Sequence, residues 1–270
     1  MFRATRLPLA TLLFASFTGL ATAQTAPADS KPAEPAEPYE PRSGQAGKDV
    51  IWLPTPQVVV DKMLEIAATT AKDVVFDLGS GDGRTVITAA KLGARARGIE
   101  YNPDLVEYSK RQAAAAGVSA NATFVKADLF ETNFSEATVI TMFLLPALNL
   151  KLRPIILDLK PGTRIVSNSF TMDDWKPDAE ADLQGQPGCT ISFCRVLHWV
   201  VPRKVEGTYT VPQGEVKLQQ EFQMLTGTLK QGSTVHSISG RVLGEEILFI
   251  AGGKQYRGRL TGTRLELKEG

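Results

Sequence analysis

The sequence lacks an excess of either charge, a His/Cys cluster and a long apolar run. Lys and Arg number 30 against 29 Asp and Glu, and the formal net charge is +1. This balance gives no electrostatic case for DNA or RNA as the main partner. His198 and His236 are isolated, so no metal site is predicted. No apolar run reaches the roughly 20 residues that span a bilayer, so we expect no stable membrane span.

The first 48 residues have the composition of an export signal followed by a linker. Two arginines precede a mostly apolar stretch that ends at the small-x-small cleavage site Ala21-Thr-Ala23. We therefore predict a signal peptide over residues 1–23 and an exported protein, periplasmic or envelope-associated. An uncleaved membrane anchor is the alternative. Residues 24–48 are rich in Ala, Pro and Glu, which predicts a semi-extended linker without a packed core.

Strand and helix patterns alternate between residues 49 and 203, which predicts an α/β domain. Short links between such elements indicate a parallel sheet covered on both faces. The first helix is expected to begin behind a Thr55 cap, with Pro56 at its first position. The predicted helices are 56–69, 84–91, 103–116 and 146–159, and the predicted strands are 73–78, 94–100, 122–126, 138–144, 163–167 and 194–201.

The C-terminal part, residues 207–270, shows no helical period. Alternate residues from 216 to 224 are mostly apolar, as on one face of a strand. The segments Gly240-Arg-Val-Leu-Gly244 and Gly258-Arg-Leu-Thr-Gly262 share a spacing that two similar hairpins would produce. We predict a small antiparallel β module here, either a barrel or a curled sheet.

Two cysteines, Cys189 and Cys194, leave two readings open. On one straight strand, five residues apart, their side chains point to opposite faces and cannot pair. A disulfide forms only if the chain bends or turns between them, and an exported chain could oxidise them. Otherwise they are small core residues.

A glycine loop between a predicted strand and a predicted helix is the main functional motif. It reads Asp77-Leu-Gly79-Ser80-Gly81-Asp-Gly83-Arg84. A P-loop ends in Gly-Lys-Ser/Thr, and no such triplet occurs here. The dinucleotide fingerprint needs Gly or Ala where this chain has Arg84, which disfavours NAD. The acidic-x-Gly-x-Gly-x-Gly pattern resembles motif I of class I S-adenosylmethionine (SAM)-dependent methyltransferases.

This resemblance implies a site for the charged and polar groups of SAM. Asp77 would accept from the methionine ammonium, and backbone N–H groups of the loop would receive the carboxylate. Glu100 would take both ribose hydroxyls, and Asp128, beside the Leu129 backbone, would accept from the adenine amino group. The predicted cofactor-binding residues are Thr55, Asp77, Gly79, Ser80, Gly81, Gly83, Glu100, Tyr101, Asp128 and Leu129.

Further motifs extend the resemblance over roughly residues 50 to 176. The chain is similar to the lysine methyltransferases that modify the mitochondrial adenine nucleotide translocase and part of the ATP synthase, and to bacterial relatives. The resemblance implies a Rossmann-like seven-stranded methyltransferase fold, with Trp52–Pro56 over the cofactor and Thr55 near its methionine end. The motifs are Trp52-Leu-Pro-Thr-Pro56, residues 75–84, Gly98-Ile-Glu-Tyr-Asn-Pro103, Thr141-Met-Phe-Leu-Leu-Pro146, and residues 150–154 with 159–167.

The acceptor is expected beside Phe143 and Leu144, after the fourth strand. Methyltransferases that act on planar nitrogen have Asn/Asp-Pro-Pro-Tyr/Phe there, whereas this chain has an apolar segment. The segment fits an aliphatic amine such as that of a protein lysine. Asp173 and Trp175 are further predicted substrate residues. No catalytic residue is predicted, and family members tend to have His and Asp where this chain has Asn168 and Ser169.

A second hypothesis follows from the predicted export. SAM is made in the cytosol, so an exported enzyme would need a supply of it. The alternative function is therefore an exported, non-catalytic protein that binds another adenosyl ligand or envelope components.

Overall fold

A computed structural model describes residues Tyr39–Gly270. The predicted signal peptide and most of the predicted linker lie outside the described residues. Within 39–270, no helix has the length and apolar character needed to cross a membrane. The helices are α1 Gln57–Ile66, α2 Arg84–Lys91, α3 Pro103–Ala115 and α4 Pro146–Leu157.

A seven-stranded sheet organises the first part of the chain. Its order is β3-β2-β1-β4-β5-β7-β6, where β1 to β5 are parallel and β7 runs antiparallel to β5 and β6. This confirms the predicted Rossmann-like methyltransferase fold. The strands are β1 Val74–Leu78, β2 Arg95–Glu100, β3 Ala122–Lys126, β4 Val139–Met142, β5 Arg164–Asn168, β6 Ala179–Asp182 and β7 Arg195–Val200.

Apolar side chains cover both faces of this sheet, as its buried strands require. On one face Met63 of α1, Val86 of α2 and Val106 of α3 belong to a single buried cluster. On the other face Leu152 and Ile156 of α4 pack against strand residues. The carboxyl ends of the parallel strands stay uncovered by these helices, and this edge carries the candidate site.

Three local predictions differ from the structure. Helix α1 begins at Gln57 with Pro56 at the cap and without a side-chain cap, so the Thr55 cap was wrong. Strand β4 ends at Met142, two residues earlier than predicted, and Phe143 leaves the sheet. Strand β6 was missed because it is a mostly exposed edge strand, which needs no apolar alternation.

The predicted linker extends too far, because residues 39–48 are folded against the α/β domain. Arg111 Nη2 donates to the Tyr39 carbonyl at 2.8 Å, and Gln45 Nε2 donates to the Tyr39 hydroxyl at 2.6 Å. An isolated β-bridge joins Ala46 to Ile51. We call residues 39–55 the strap. Polar composition predicted a linker, but hydrogen bonds rather than apolar burial order this segment.

Cys189 and Cys194 form a disulfide, with their Cα atoms 6.1 Å apart. The chain bends at residues 191 and 192, and β7 begins only at Arg195. The two cysteines therefore do not share a strand, which removes the geometric objection to pairing. Of the two readings that the sequence left open, the structure selects the bend.

The second sheet is an antiparallel meander of seven strands, in which each strand pairs with the next. Two-residue turns join successive strands, and Gly244 and Gly262 begin two of them with φ of 60° and 59°. This confirms both predicted hairpins. Gln213 Nε2 donates to the Leu267 carbonyl at 3.2 Å, which curls the sheet toward closure. The strands are β8 Gly207–Val211, β9 Gly214–Glu221, β10 Met224–Gln231, β11 Thr234–Leu243, β12 Glu246–Ala251, β13 Lys254–Thr261 and β14 Arg264–Glu269.

The β module docks on the α/β domain through polar and aromatic contacts. Arg241 forms an ion pair with the buried carboxylate of Asp178. Gln223 Nε2 donates to the Lys176 carbonyl at 2.8 Å. The ring of Phe222 stacks on Trp175 with centroids 6.1 Å apart. These contacts make the module part of the core around residues 175–178.

Candidate functional site

Three carboxylates predicted to act together line one cleft. Asp77, Glu100 and Asp128 stand at or just beyond the carboxyl ends of β1, β2 and β3, and all three face the same cavity. The cavity encloses about 980 Å³, including space open to solvent. Neighbouring parallel strands end at the same sheet edge, so the three acids converge although they are up to 51 residues apart in sequence.

Asp77 is a buried carboxyl group with a raised pKa. Its side chain accepts from Thr141 Oγ1 at 2.7 Å. Burial raises the pKa of Asp77 to about 7, and the charges of Asp82 and Glu100 add to this effect. A cationic ligand would offset both causes, so this position favours an ammonium group. The sequence analysis did not predict that Thr141 contacts Asp77. A polar residue within the otherwise apolar strand β4 was a signal that could have indicated it.

Glu100 lines the cleft and also accepts hydrogen bonds from the backbone of the glycine loop and of Asn102. Its Oε2 accepts from the Gly81 backbone N–H at 2.9 Å, and its Oε1 accepts from the Asn102 N–H at 2.9 Å. Each carboxylate oxygen can accept further hydrogen bonds. Glu100 can therefore hold the glycine loop and still accept from a pair of ligand hydroxyls.

The backbone N–H groups of the glycine loop are mostly used by the protein itself. Those of Gly79 and Ser80 donate to the Ile99 carbonyl at 2.9 and 3.0 Å, and that of Gly83 donates to the Ser80 carbonyl at 2.9 Å. Together with Gly81, these four groups fold the loop. Which N–H groups around Gly79 to Gly83 receive the ligand carboxylate stays a prediction. The first turn of α2, where N–H groups lack helical partners, can also donate.

At two positions of the loop, the neighbouring side chains leave room only for glycine. At Gly81, which has φ of 54°, an added Cβ would lie 2.3 Å from Nε1 of Trp52. At Gly83 an added Cβ would lie 2.6 Å from Cε1 of Phe124. Gly81 lines the cleft, whereas Gly83 is absent from its lining. Gly83 therefore packs closely against Phe124, and its contact with the cofactor stays a prediction.

The strap forms one wall of the cleft through residues 47–55. Arg84 holds the strap against the glycine loop. Its Nη1 donates to the Thr55 carbonyl at 2.8 Å, and its Nη2 forms an ion pair with Asp82 at 2.5 Å. Thr55 and Trp52 both line the cavity, beside Gly81. Residues 52–55 thus line the cleft, and their position over the cofactor stays a prediction.

Asp128 faces a cation from the strap. Its Oδ2 forms an ion pair with Lys48, and its Oδ1 accepts from the Phe130 N–H at 2.9 Å. The hydrogen bond from Lys48 is the main cause that lowers the pKa of Asp128. Lys48 Nζ also lies 5.0 Å from the ring centroid of Tyr101. Sequence reasoning missed Lys48 because it lies within the predicted linker.

The predicted acceptor residues divide into two groups. Phe143 and Leu144 line the cleft, but Asp173 and Trp175 do not. Trp175 is fully buried, stacked on Phe222, and its carbonyl accepts from Trp199 Nε1 at 2.8 Å. The β module covers this side chain, which therefore belongs to the core. Asp173 is exposed outside the cavity.

Comparisons with known proteins agree with this geometry. Residues 77–179 match the ANTKMT methyltransferase domain. A protein-lysine N-methyltransferase of Saccharolobus islandicus (strain REY15A) is 46% identical over 131 residues, which are 47% of this chain and 81% of the relative. The adenine nucleotide translocase lysine N-methyltransferase of Mus musculus is 35% identical over 140 residues, covering 47% of this chain and 61% of that protein.

A similar protein of known structure indicates which cofactor the cleft binds. An RNA methyltransferase from Salinibacter ruber, crystallised with S-adenosyl-L-homocysteine, has 48% identity and a TM-score of 0.53, over 57% of this chain and 96% of that one. The chain belongs to the ANTKMT methyltransferase family. This family member is a SAM-dependent methyltransferase, and SAM is its cofactor. The relatives' names differ in the acceptor, lysine for two and RNA for the third, so membership alone does not name it.

The residues of the cleft fit SAM. A buried carboxyl group suits an ammonium, Glu100 suits a diol, and Asp128 suits an amino group. Of the predicted cofactor residues, the cleft brings together all but Gly83. Their individual contacts with SAM stay predictions.

Proposed function

We propose that this methyltransferase modifies the ε-amine of a protein lysine. The observation that carries the proposal is the wall of the cofactor cleft at the end of β4, formed by Met142, Phe143 and Leu144. This wall offers no side-chain amide or hydroxyl to a planar base or amide. It suits the hydrocarbon stem of a lysine, and the lysine-specific names of two relatives support the same acceptor class.

The residues of the cleft act chiefly by positioning and desolvation. SAM supplies an electrophilic methyl group, and its carbon–sulfur bond breaks as the methyl carbon bonds to the amine nitrogen. Asp77, Glu100 and Asp128 hold the donor. The apolar wall lowers the pKa of the acceptor amine, which frees its lone pair and releases a proton to water. Positioning of this kind supplies several kcal/mol, up to about 7–11 in the best models.

No catalytic base is assigned. Asp173 and Asp174 are the carboxylates next to the predicted substrate residue Trp175 in sequence, yet neither side chain lines the cleft. Asp174 forms an ion pair with Arg153, which lowers its pKa. A carboxylate engaged in this way is a poor proton acceptor. The unmethylated amine therefore loses its proton to solvent as the apolar wall lowers its pKa.

The proposal includes export. The Cys189–Cys194 disulfide supports an oxidising compartment, since disulfides are rare where thiols are kept reduced. The N-terminal sequence favours cleavage after Ala23. Mass spectrometry of the mature protein should find Gln24 as the first residue. An intact N-terminus in the membrane fraction would support the uncleaved anchor instead.

Methyl transfer from labelled SAM tests the acceptor. The purified protein is incubated with envelope proteins, with cytosolic proteins and with total RNA in separate reactions. Label on lysine, identified by mass spectrometry after digestion, is the expected result. Label confined to RNA would replace the lysine proposal, because the relative from Salinibacter ruber carries that name. Binding of SAM without transfer to any fraction would favour the non-catalytic alternative. Glu100→Ala is the inactive control.

A further inference from the structure

We propose that Phe143, Phe170 and Phe193 form the binding site for the acceptor's aliphatic amine, and that the Cys189–Cys194 disulfide keeps this site assembled. We call the three rings the phenylalanine cluster. The inference rests on the proposed lysine acceptor and specifies where its side chain binds. Phe170 and Phe193 carry no role in the site described above.

The three rings come from three segments that meet at one edge of the sheet. Phe143 follows β4, Phe170 follows β5, and Phe193 precedes β7, which begins where the antiparallel β5 ends. The centroid distances are 5.8 Å between Phe143 and Phe170, 5.7 Å between Phe143 and Phe193, and 5.4 Å between Phe170 and Phe193. All three side chains are partly exposed, and Phe143 also lines the cofactor cleft. The cluster therefore continues the cleft outward.

Aromatic faces suit an alkylammonium side chain. The ring face attracts the cation, and the ring surface packs against the methylene stem. A nucleic acid acceptor would need cations for its phosphates. The neighbouring Arg153 and Arg195 are instead paired with Asp174 and Glu180. The local charges thus favour an amine over a nucleotide.

A buried polar group beside the cluster points to a ligand independently. Asn168 is fully buried, and its Nδ2 has no partner among the described residues. The β4–β5 register ends at the pair of Met142 with Ser167, and Phe143 and Asn168 are the residues that directly follow this pair. The Ser169 hydroxyl bonds to Asn168 Oδ1 at 2.8 Å, and a hydroxyl can donate or accept. Rotation of the amide would therefore offer its oxygen to an ammonium.

The turn that carries Phe170 is strained and pinned to the start of β7. Ser169 has φ of 62°, a conformation that costs energy for a residue other than glycine. Its N–H donates to the Arg195 carbonyl at 2.7 Å. The Phe170 carbonyl accepts from Ser167 Oγ at 2.7 Å and from Asn149 Nδ2 at 3.1 Å. Phe170 is thus held rigidly, as a recognition residue must be.

The disulfide fixes the third ring. Phe193 directly precedes Cys194, which is buried, and the bond to Cys189 closes the short loop that contains Phe193. Reduction would remove the covalent link across this loop and leave it held by its backbone and by the packing of Ile191. The ring of Phe193 would then lose its fixed place beside Phe143 and Phe170. Acceptor binding should weaken on reduction, whereas the cofactor cleft on the other side of Phe143 should be unaffected.

Fluorine NMR of the full chain tests the site directly. The protein is labelled with 4-fluorophenylalanine, saturated with S-adenosylhomocysteine and titrated with Nα-acetyl-lysine amide. We expect the resonances of Phe143, Phe170 and Phe193 to shift, and that of Phe249 in the β-module core to stay. The norleucine analogue, which lacks the amine, should shift them less. Shifts produced by adenosine monophosphate and not by the lysine probe would overturn the proposal.

Variants separate this inference from the proposed function. Phe193→Ala, and reduction of the wild-type disulfide, should each raise the dissociation constant of the lysine probe about fivefold. Each should leave the affinity for S-adenosylhomocysteine within about twofold, a control that also reports folding. Ile250→Ala, at an exposed apolar residue of β12, is the matched control and should change neither. Phe193→Leu replaces Phe193→Ala if the latter does not fold.

Failure of the phenylalanine cluster and failure of the lysine acceptor give different results in these experiments. Unchanged affinity for the lysine probe in both Phe193→Ala and the reduced protein refutes the phenylalanine cluster, even if lysine is methylated. Label found only in RNA refutes the proposed lysine acceptor, and with it this inference.

Discussion

The affinity for SAM should depend on pH through one buried carboxyl group. Burial, together with the charges of Asp82 and Glu100, raises the pKa of Asp77 to about 7. An ammonium beside Asp77 favours the ionised carboxylate. Binding must therefore remove a proton from Asp77 wherever the medium is more acidic than its pKa, and this removal costs affinity.

The size of the effect follows from the pKa. With a pKa of about 7, roughly a tenth of Asp77 is ionised at about pH 6 and roughly half at about pH 7, so the dissociation constant should fall about fivefold between them. An α-amino group titrates near 7.7–8.0, so the ligand stays protonated in this range. In the absence of ligand, the stability of the fold changes with pH in the opposite direction to the affinity. The folded state binds more protons than the unfolded chain, so the free energy of unfolding falls as pH rises from about 4 to about 7.

Calorimetry with S-adenosylhomocysteine between about pH 5.5 and pH 7 measures this dependence. Adenosine, which lacks the ammonium, is the control ligand and should bind with little dependence on pH. In Asp77→Asn the affinity for S-adenosylhomocysteine should be at least about tenfold weaker at pH 7 and nearly flat with pH. A flat profile in the wild type, or the same slope in Asp77→Asn, would refute the role given to Asp77.

Three further outcomes are expected. Glu100→Ala should weaken SAM binding at least about tenfold with the protein still folded, measured by calorimetry and thermal melting; unchanged affinity removes Glu100 from the site. Lys48→Ala should release Asp128 and tighten SAM binding by up to about fivefold at low salt, an effect that disappears in Asp128→Asn. Trp175→Ala should lower the free energy of unfolding by about 3–5 kcal/mol in denaturant titration, whereas a surface residue would change it little.

The outline of the site was predictable because strand ends share an edge. Each of Asp77, Glu100 and Asp128 follows a stretch that reads locally as a strand, and parallel strands gather their carboxyl ends without any further information. The glycines were also readable, since only they adopt the loop's positive φ angles without strain. The use made of the Gly79 and Ser80 N–H groups was not readable, because their acceptor, the Ile99 carbonyl, lies on another strand.

Predictions failed where distant segments decide the environment of a residue. Trp175 reads locally as a loop aromatic, but it packs against Trp199 of β7 and against Phe222 of the β module, 47 residues further on. Lys48 reads as part of a polar linker until its partner Asp128 is seen.

By itself, the sequence determined the order of the four helices and of strands β1 to β5, the glycine loop and the three acids, because these depend on local periodicity and on residues adjacent in the chain. The tertiary structure alone decided the bend that pairs Cys189 with Cys194, the covering of the cleft by the strap, and the meeting of Phe143, Phe170 and Phe193. Each of these depends on how the chain folds back or on which segments come to lie side by side, and a local pattern does not encode that.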